Sequence, residues 1–172
     1  KNANVSNIVI DLRDNGGGYL TALQGIASYF LPKDTLAMKQ VYADGTTEKI
    51  YTTDGMYDNI KKISILVNKN TASASEVLTM ALKEQHKDVT VLGVTTYGKG
   101  TVQVSRVFKD GSALKYTTSK WTSPNDVWVN GVGITPDVEV KLHEVMYTSL
   151  PKMNDTDRYT YDSVGEPVKF AQ

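Results

Sequence analysis

Short apolar runs alternating with helical patterns constrain this chain more than any other feature of its sequence. Ile8-Val9-Ile10 and Leu12 lead into Arg13-Asp14-Asn15-Gly16-Gly17-Gly18, which reads as a buried strand entering a glycine loop. Leu20, Leu23, Ile26, Ala27 and Phe30 then recur at helical spacing, and Pro32 closes that helix. Asp44-Gly45 marks a hairpin joining Met38–Tyr42 to Lys49–Thr52. Ile63-Ser64-Ile65-Leu66-Val67 is a second buried strand, and a helix over about 75–83 turns Val77, Leu78, Ala81 and Leu82 inward. Val89–Leu92 is a third core strand. From Thr101 the pattern changes to an antiparallel meander. Thr101–Phe108 and Ala113–Thr118 flank the turn Lys109-Asp110-Gly111-Ser112, and Val138-Glu139-Val140 adds an edge strand. The expected fold is an α/β core with a β-rich second half.

With 172 residues the chain fits one domain and can bury a sizeable core. Nineteen basic and nineteen acidic residues leave a formal net charge of zero, so there is no electrostatic footprint for nucleic acid. The absence of cysteine excludes disulfides, thiol catalysis and cysteine-ligated metals. It fits the cytoplasm and a bacterial exterior equally well. No apolar run approaches the roughly 20 residues of a membrane span. The first residue is Lys1 rather than Met, and the chain reads as a piece of a longer protein. The expected core covers residues 1–145. From Met146 the apolar residues lose any period, and residues 146–172 read as a tail or linker.

Three segments carry candidate chemistry. Ser73 follows a strand at a helix entrance, where free backbone N–H groups and the helix dipole favour developing negative charge. An acyl-transfer nucleophile belongs in such a place, because the amide of Ala74 can help hold an oxyanion. Ser73-Ala74-Ser75-Glu76 is equally a capping box with Glu76 reaching back, and on this motif alone capping is the commoner use. Ser75 is the neighbouring candidate. Lys99 lies between Gly98 and Gly100, which allow the backbone to approach closely and draw the lysine inward. A lysine acts as a general base only when neutral, so its pKa must fall several units from about 10.4. In an extended segment Lys99, Thr101 and Gln103 share a face, and Gln103 could aim the lysine amine. A surface lysine in a turn is the ordinary alternative.

Gly93-Val94-Thr95-Thr96-Tyr97-Gly98-Lys99 matches a P-loop as far as the lysine, but Gly100 stands where Ser or Thr should bind magnesium. The sequence beyond it reads as strand, so the nucleotide reading fails twice. Asp14–Gly18 can present successive N–H groups to an oxyanion or a phosphate, or form a tight turn. The chain has two histidines: His86 lies in the polar Lys83–Asp88 turn and His143 beside the tail, both as solvated residues. If nucleophilic catalysis occurs here, the scarcity of histidine and the absence of cysteine favour serine and lysine as the pair.

Ile10–Gly18, Val67–Glu76 and Thr96–Gln103 occur in this order, with Gly131-Val132-Gly133-Ile134-Thr135-Pro136-Asp137 as a fourth element. Together they resemble the carboxyl-terminal processing proteases, the tail-specific family S41. The resemblance spans residues 8 to about 140. It implies a crotonase/ClpP-like mixed-sheet α/β core, with Ser73 as nucleophile, Lys99 as general base and Gln103 orienting the lysine. Thr71 replaces the first serine of the family's S-A-S-A-S-E, leaving Ser73 as its middle one. The implied oxyanion hole is the amide of Ala74 with one from the glycine loop, at Gly17 or a neighbour. Glu84 stands where some members have an aspartate and is given no role, and the Ser73–Lys99 stretch is one residue longer than the family's, around residues 85–88. No metal or cofactor is implied. The expected partners are polypeptide substrates with exposed apolar C-termini and an upstream PDZ domain, with room for a homo-oligomer. The expected location is extracytoplasmic, exported or membrane-anchored. The alternative is a catalytically silent module that binds peptides or scaffolds.

Overall fold

The computed structural model describes residues 5–140, 159–161 and 167–169. Residues 1–140 form one compact unit and residues 141–172 a second. The first contains a four-stranded parallel sheet in the order β1 (Asn7–Asp11), β4 (Lys62–Val67), β5 (Val89–Gly93), β8 (Val138–Glu139). A second sheet is antiparallel, in the order β3 (Thr47–Tyr51), β2 (Leu36–Tyr42), β7 (Ala113–Thr122), β6 (Thr101–Val107). The fold is thus mixed α/β, with the two strand directions kept in separate sheets. In the second unit, β9 (Tyr159–Tyr161) pairs antiparallel with β10 (Pro167–Lys169). The rest of the expected tail lies outside the described residues.

Alternation places Ile63, Ile65 and Val67 of β4 on one buried face, where they meet Val91 of β5 and the helices. The first helix, α1 (Leu20–Ser28), ends before Pro32 and buries Leu23 and Ala27. The second, α2 (Ala74–Gln85), touches β5 in one sheet, β2 in the other, and α1. This explains a difference from expectation: every residue from Ala74 to Leu82 is buried, not one face alone. Its polar members are satisfied internally, as where the Thr79 hydroxyl donates to the Ser75 carbonyl at 2.8 Å.

The sheet order sets up the site. β1, β4 and β5 are parallel neighbours, so their carboxyl ends open side by side. From those ends leave the glycine loop, the Ser73 turn and the Lys99 loop, at the edge where open α/β sheets bind ligands. Gly93 ends β5 at φ +132°, where a Cβ would lie 1.9 Å from the Val67 carbonyl oxygen. Only glycine allows that approach.

The Gly131–Asp137 segment backs this edge. The Asp137 side chain accepts from the Val91 amide at 2.9 Å and pairs with Lys83 at 2.6 Å. Burial alone would raise the Asp137 carboxyl, but the Lys83 ammonium and the Val91 amide outweigh it and hold the group below the ordinary 3.8. A depressed folded-state value means that this link contributes fully above pH about 4 and is lost as pH falls through the lowered value. Asp137→Asn should cost about 1 kcal/mol at neutral pH and flatten the acid limb of stability, as read by denaturant melts between pH 2 and 7.

Candidate active site

Ser73 sits between β4 and α2 with φ +57° and ψ −123°. An ordinary N-cap is extended; this residue is in the left-handed half of the map, which strains any side chain beyond glycine. Glu76 completes one half of the expected capping box, accepting the Ser73 N–H at 2.9 Å. The amide of Glu76 in turn bonds the Ser73 carbonyl at 2.8 Å and faces the serine side chain, so both halves of the expected capping box are present.

Glu76 does more than cap. Its side chain is fully buried. Oε2 accepts the N–H groups of Ser73 and Lys99, each at 2.9 Å. Oε1 accepts the Gly98 N–H at 2.7 Å and the Thr96 hydroxyl at 2.5 Å. Thr96 in turn accepts the Ile134 amide at 2.7 Å, so its hydroxyl proton faces Glu76. One carboxylate oxygen thus joins the backbones of the two residues expected to form the catalytic pair. Among the described residues no hydrogen bond links the Ser73 hydroxyl to the Lys99 amine. Gln103 is exposed on β6, and its amide donates to the Thr117 hydroxyl at 3.3 Å rather than to Lys99.

Gly17 lies directly against the serine turn at φ +98°. A Cβ there would be 2.7 Å from the Ala72 carbonyl oxygen, 2.8 Å from the Ala74 nitrogen and 2.9 Å from the Ser73 Cβ. Its own N–H donates to Asn15 Oδ1 at 3.0 Å. The amides of Gly18 and Ala74 have no hydrogen-bond partner among the described residues. The loop is strapped in place: the Ala72 N–H donates to the Asn15 carbonyl at 3.0 Å, and the Asp14 carboxylate accepts from Asn70 at 2.7 Å and Asn68 at 3.0 Å. Those two amides, Asn70 foremost, hold the Asp14 carboxyl below its usual range. At the head of the loop Arg13 grips Asp11 through two bonds, 2.9 and 2.7 Å, which lowers the Asp11 carboxyl in the same way.

Beside the turn is a largely apolar cavity of ≈ 190 Å³ walled by Leu12, Tyr19, Ala22, Leu23, Ile26 and Leu78, with Asn15, Ser75, Gly17, Gly18 and Ala74 also on its surface. Glu84 has a local task, accepting the Asn125 amide at 2.8 Å. The His86 ring likewise accepts the Asp88 amide at 3.2 Å, and His143 lies outside the described residues.

Two tryptophans touch the Lys99 loop, a contact that sequence reasoning missed. Trp121 Nε1 donates to the Lys99 carbonyl at 2.8 Å, and Trp128 Nε1 to the Gly100 carbonyl at 2.9 Å. A signal was available in the spacing, with two indoles closely flanking the Ser-Pro-Asn-Asp turn just before the glycine-rich fourth motif.

A strained serine stands at a strand-to-helix turn, between loops from the carboxyl ends of a parallel sheet, in a mixed α/β protein. The model of Peptidase family S41 matches residues 1–140, and the chain belongs to that family of peptidases. It is 42% identical over 170 residues to a probable CtpA-like serine protease of Staphylococcus haemolyticus, covering 98% of this chain and 33% of that protein. It superposes on the photosystem II D1 C-terminal processing protease with a TM-score of 0.70 and 32% identity, over 79% of this chain and 35% of the other. A putative S41 protease from Bacteroides fragilis shares the fold, with a TM-score of 0.70 at 21% identity over 80% of this chain and 38% of the other. The chain spans about a third of the length of the curated relatives it matches.

Proposed function

We propose that this chain carries the catalytic centre of a serine endopeptidase with a Ser73–Lys99 dyad, cleaving proteins near their C-termini through an acyl-enzyme. The observation that carries the reading is the Glu76 bridge, which ties a strained serine and the lysine backbone to one oxygen. Lys99, neutral, takes the proton of the Ser73 hydroxyl as its oxygen bonds the peptide carbonyl carbon. The oxyanion falls to the Ala74 amide and an amide of the glycine loop. Gly17 supplies the clearance and Gly18 the free N–H, since the Gly17 amide is engaged by Asn15. Lys99 returns the proton to the leaving amine and then activates the hydrolytic water. In the working state Gln103 exchanges Thr117 for the lysine amine and aims it. The apolar cavity accepts an apolar side chain next to the scissile bond, which suits substrates with exposed apolar C-termini. By its family likeness the protein works outside the cytoplasm, exported or anchored, with a PDZ domain delivering substrates.

A fluorophosphonate probe, with mass-spectrometric mapping of the adduct, tests this directly. Modification of Ser73 is expected; modification of Ser75 or of neither serine would overturn it. The resting bond from Gln103 to Thr117 favours one second reading, a peptide-binding module without turnover. Such a module would bind C-terminal peptides yet leave the probe unreacted.

A further inference from the structure

Lys99 is flanked by glycines on both sides, so its backbone has little intrinsic stiffness. A base must nonetheless be held to within a fraction of an ångström of the proton it takes. The structure meets this by gripping every backbone polar group from the Lys99 nitrogen to the Gly100 carbonyl. The Lys99 N–H is held by Glu76 and its carbonyl by Trp121. The Gly100 N–H donates to Asn130 Oδ1 at 3.1 Å, and its carbonyl accepts from Trp128 Nε1 and from the Trp121 amide. The fit leaves no slack: a Cβ on Gly100 would lie 2.5 Å from Trp128 Nε1 and 2.7 Å from the Asn130 Cβ.

The two indoles differ in one respect. Trp121 is 1% exposed and belongs to the core, whereas Trp128 is 45% exposed. An indole half in water gains modestly from burial, and water would satisfy its N–H at no structural cost. This N–H is instead spent on the carbonyl next to the lysine. The Lys120 ammonium, 5.2 Å from the ring centroid, packs over the ring and restrains it.

We infer that Trp128, assisted by Asn130, is a positioning residue that holds the Lys99 backbone in register with Ser73. The inference rests on the proposed Ser73–Lys99 chemistry and adds a part to it.

Trp128→Phe removes the N–H while keeping a ring for Lys120 to cover, and Asn130→Ala removes the acceptor for Gly100. Both positions are exposed, so each variant in the intact protein should melt within about 3 °C of the parent. The measurement is the second-order rate of fluorophosphonate acylation at Ser73, normalised to the titrated reactive fraction. Each variant should react about 10- to 100-fold more slowly per site. In a Lys99→Ala background Trp128→Phe should have no further effect, because the indole acts through the lysine. A purely structural role would reduce the reactive fraction and the melting temperature while leaving the per-site rate unchanged, and that result overturns the inference. So does a Trp128→Phe effect that persists without Lys99. An unreactive Ser73 in the parent overturns the dyad itself, and this inference with it.

Discussion

Ser73→Ala should lower kcat/KM for an unstructured, apolar-tailed polypeptide by on the order of 10⁴- to 10⁶-fold, and Lys99→Arg should be as inactive as Lys99→Ala. The serine change removes the bond-forming atom and leaves only what backbone amides and substrate binding contribute. The arginine change is the sharper of the two. Arginine keeps the positive charge and the reach of lysine, but its guanidinium does not deprotonate in proteins and cannot accept the serine proton. If Lys99 acted by charge alone, as an electrostatic partner of the oxyanion, arginine would retain much of the activity. Equal loss in the Arg and Ala variants identifies the base. Both variants should fold normally, because neither side chain lies in the core cluster. The strain at φ +57° stays with alanine, because it arises from the Cβ that both residues carry. Full activity in either the Ser73 or the Lys99 variant would sink the dyad.

The parts of this site written in local sequence were legible, and those made by long-range pairing were not. Apolar runs and helical spacing located β1, β4, α2 and β5 to within a few residues, because each buries a face fixed by its own period. The glycine loop, the serine turn and the Gly-Lys-Gly loop were visible as motifs. The sheet order then explains why motifs so far apart in the chain converge on one edge. Gln103 shows the limit. Strand alternation puts it on the face of Lys99, but whether it bonds the lysine depends on the partner strand. There a register shift near Val102/Gln103 pairs it with Thr117. The pairing of β7 with β2, and the extension of β7 to Thr122, were equally unreadable, since neither strand encodes its partner. The largest omission was Glu76. The capping-box spacing drew attention to a bond three residues away, while its other partners, Thr96, Gly98 and Lys99, lie 20 to 23 residues along the chain.

Those remote partners make Glu76 the residue whose loss should damage both fold and site. Glu76→Ala would leave the Ser73, Gly98 and Lys99 amides and the Thr96 hydroxyl without their acceptor in the interior, beside a new void. Orphaning buried donors and opening a cavity should together cost about 3–5 kcal/mol, enough to threaten a single domain. Glu76→Gln separates the two roles. Its volume is nearly unchanged, so no cavity forms. One oxygen, however, becomes an NH₂ group aimed at donors, and no amide flip cures this because both ends of the side chain meet donors. If the NH₂ faces Ser73 and Lys99, the bridge between nucleophile and base becomes a repulsion. If it faces Gly98 and Thr96, the base loop is released one residue earlier. Either way the Lys99 loop should detach from α2 at a cost of about 2–3 kcal/mol, with at least a 10²-fold loss of Ser73 reactivity in the fraction that remains folded. Hydrogen exchange supplies the independent readout: in Glu76→Gln the amides of Gly98 and Lys99 should lose protection while those of β4 keep theirs. Parent-like protection at Gly98 and Lys99, or parent-like acylation of Ser73, would show that the carboxylate merely fills space between α2 and the loop.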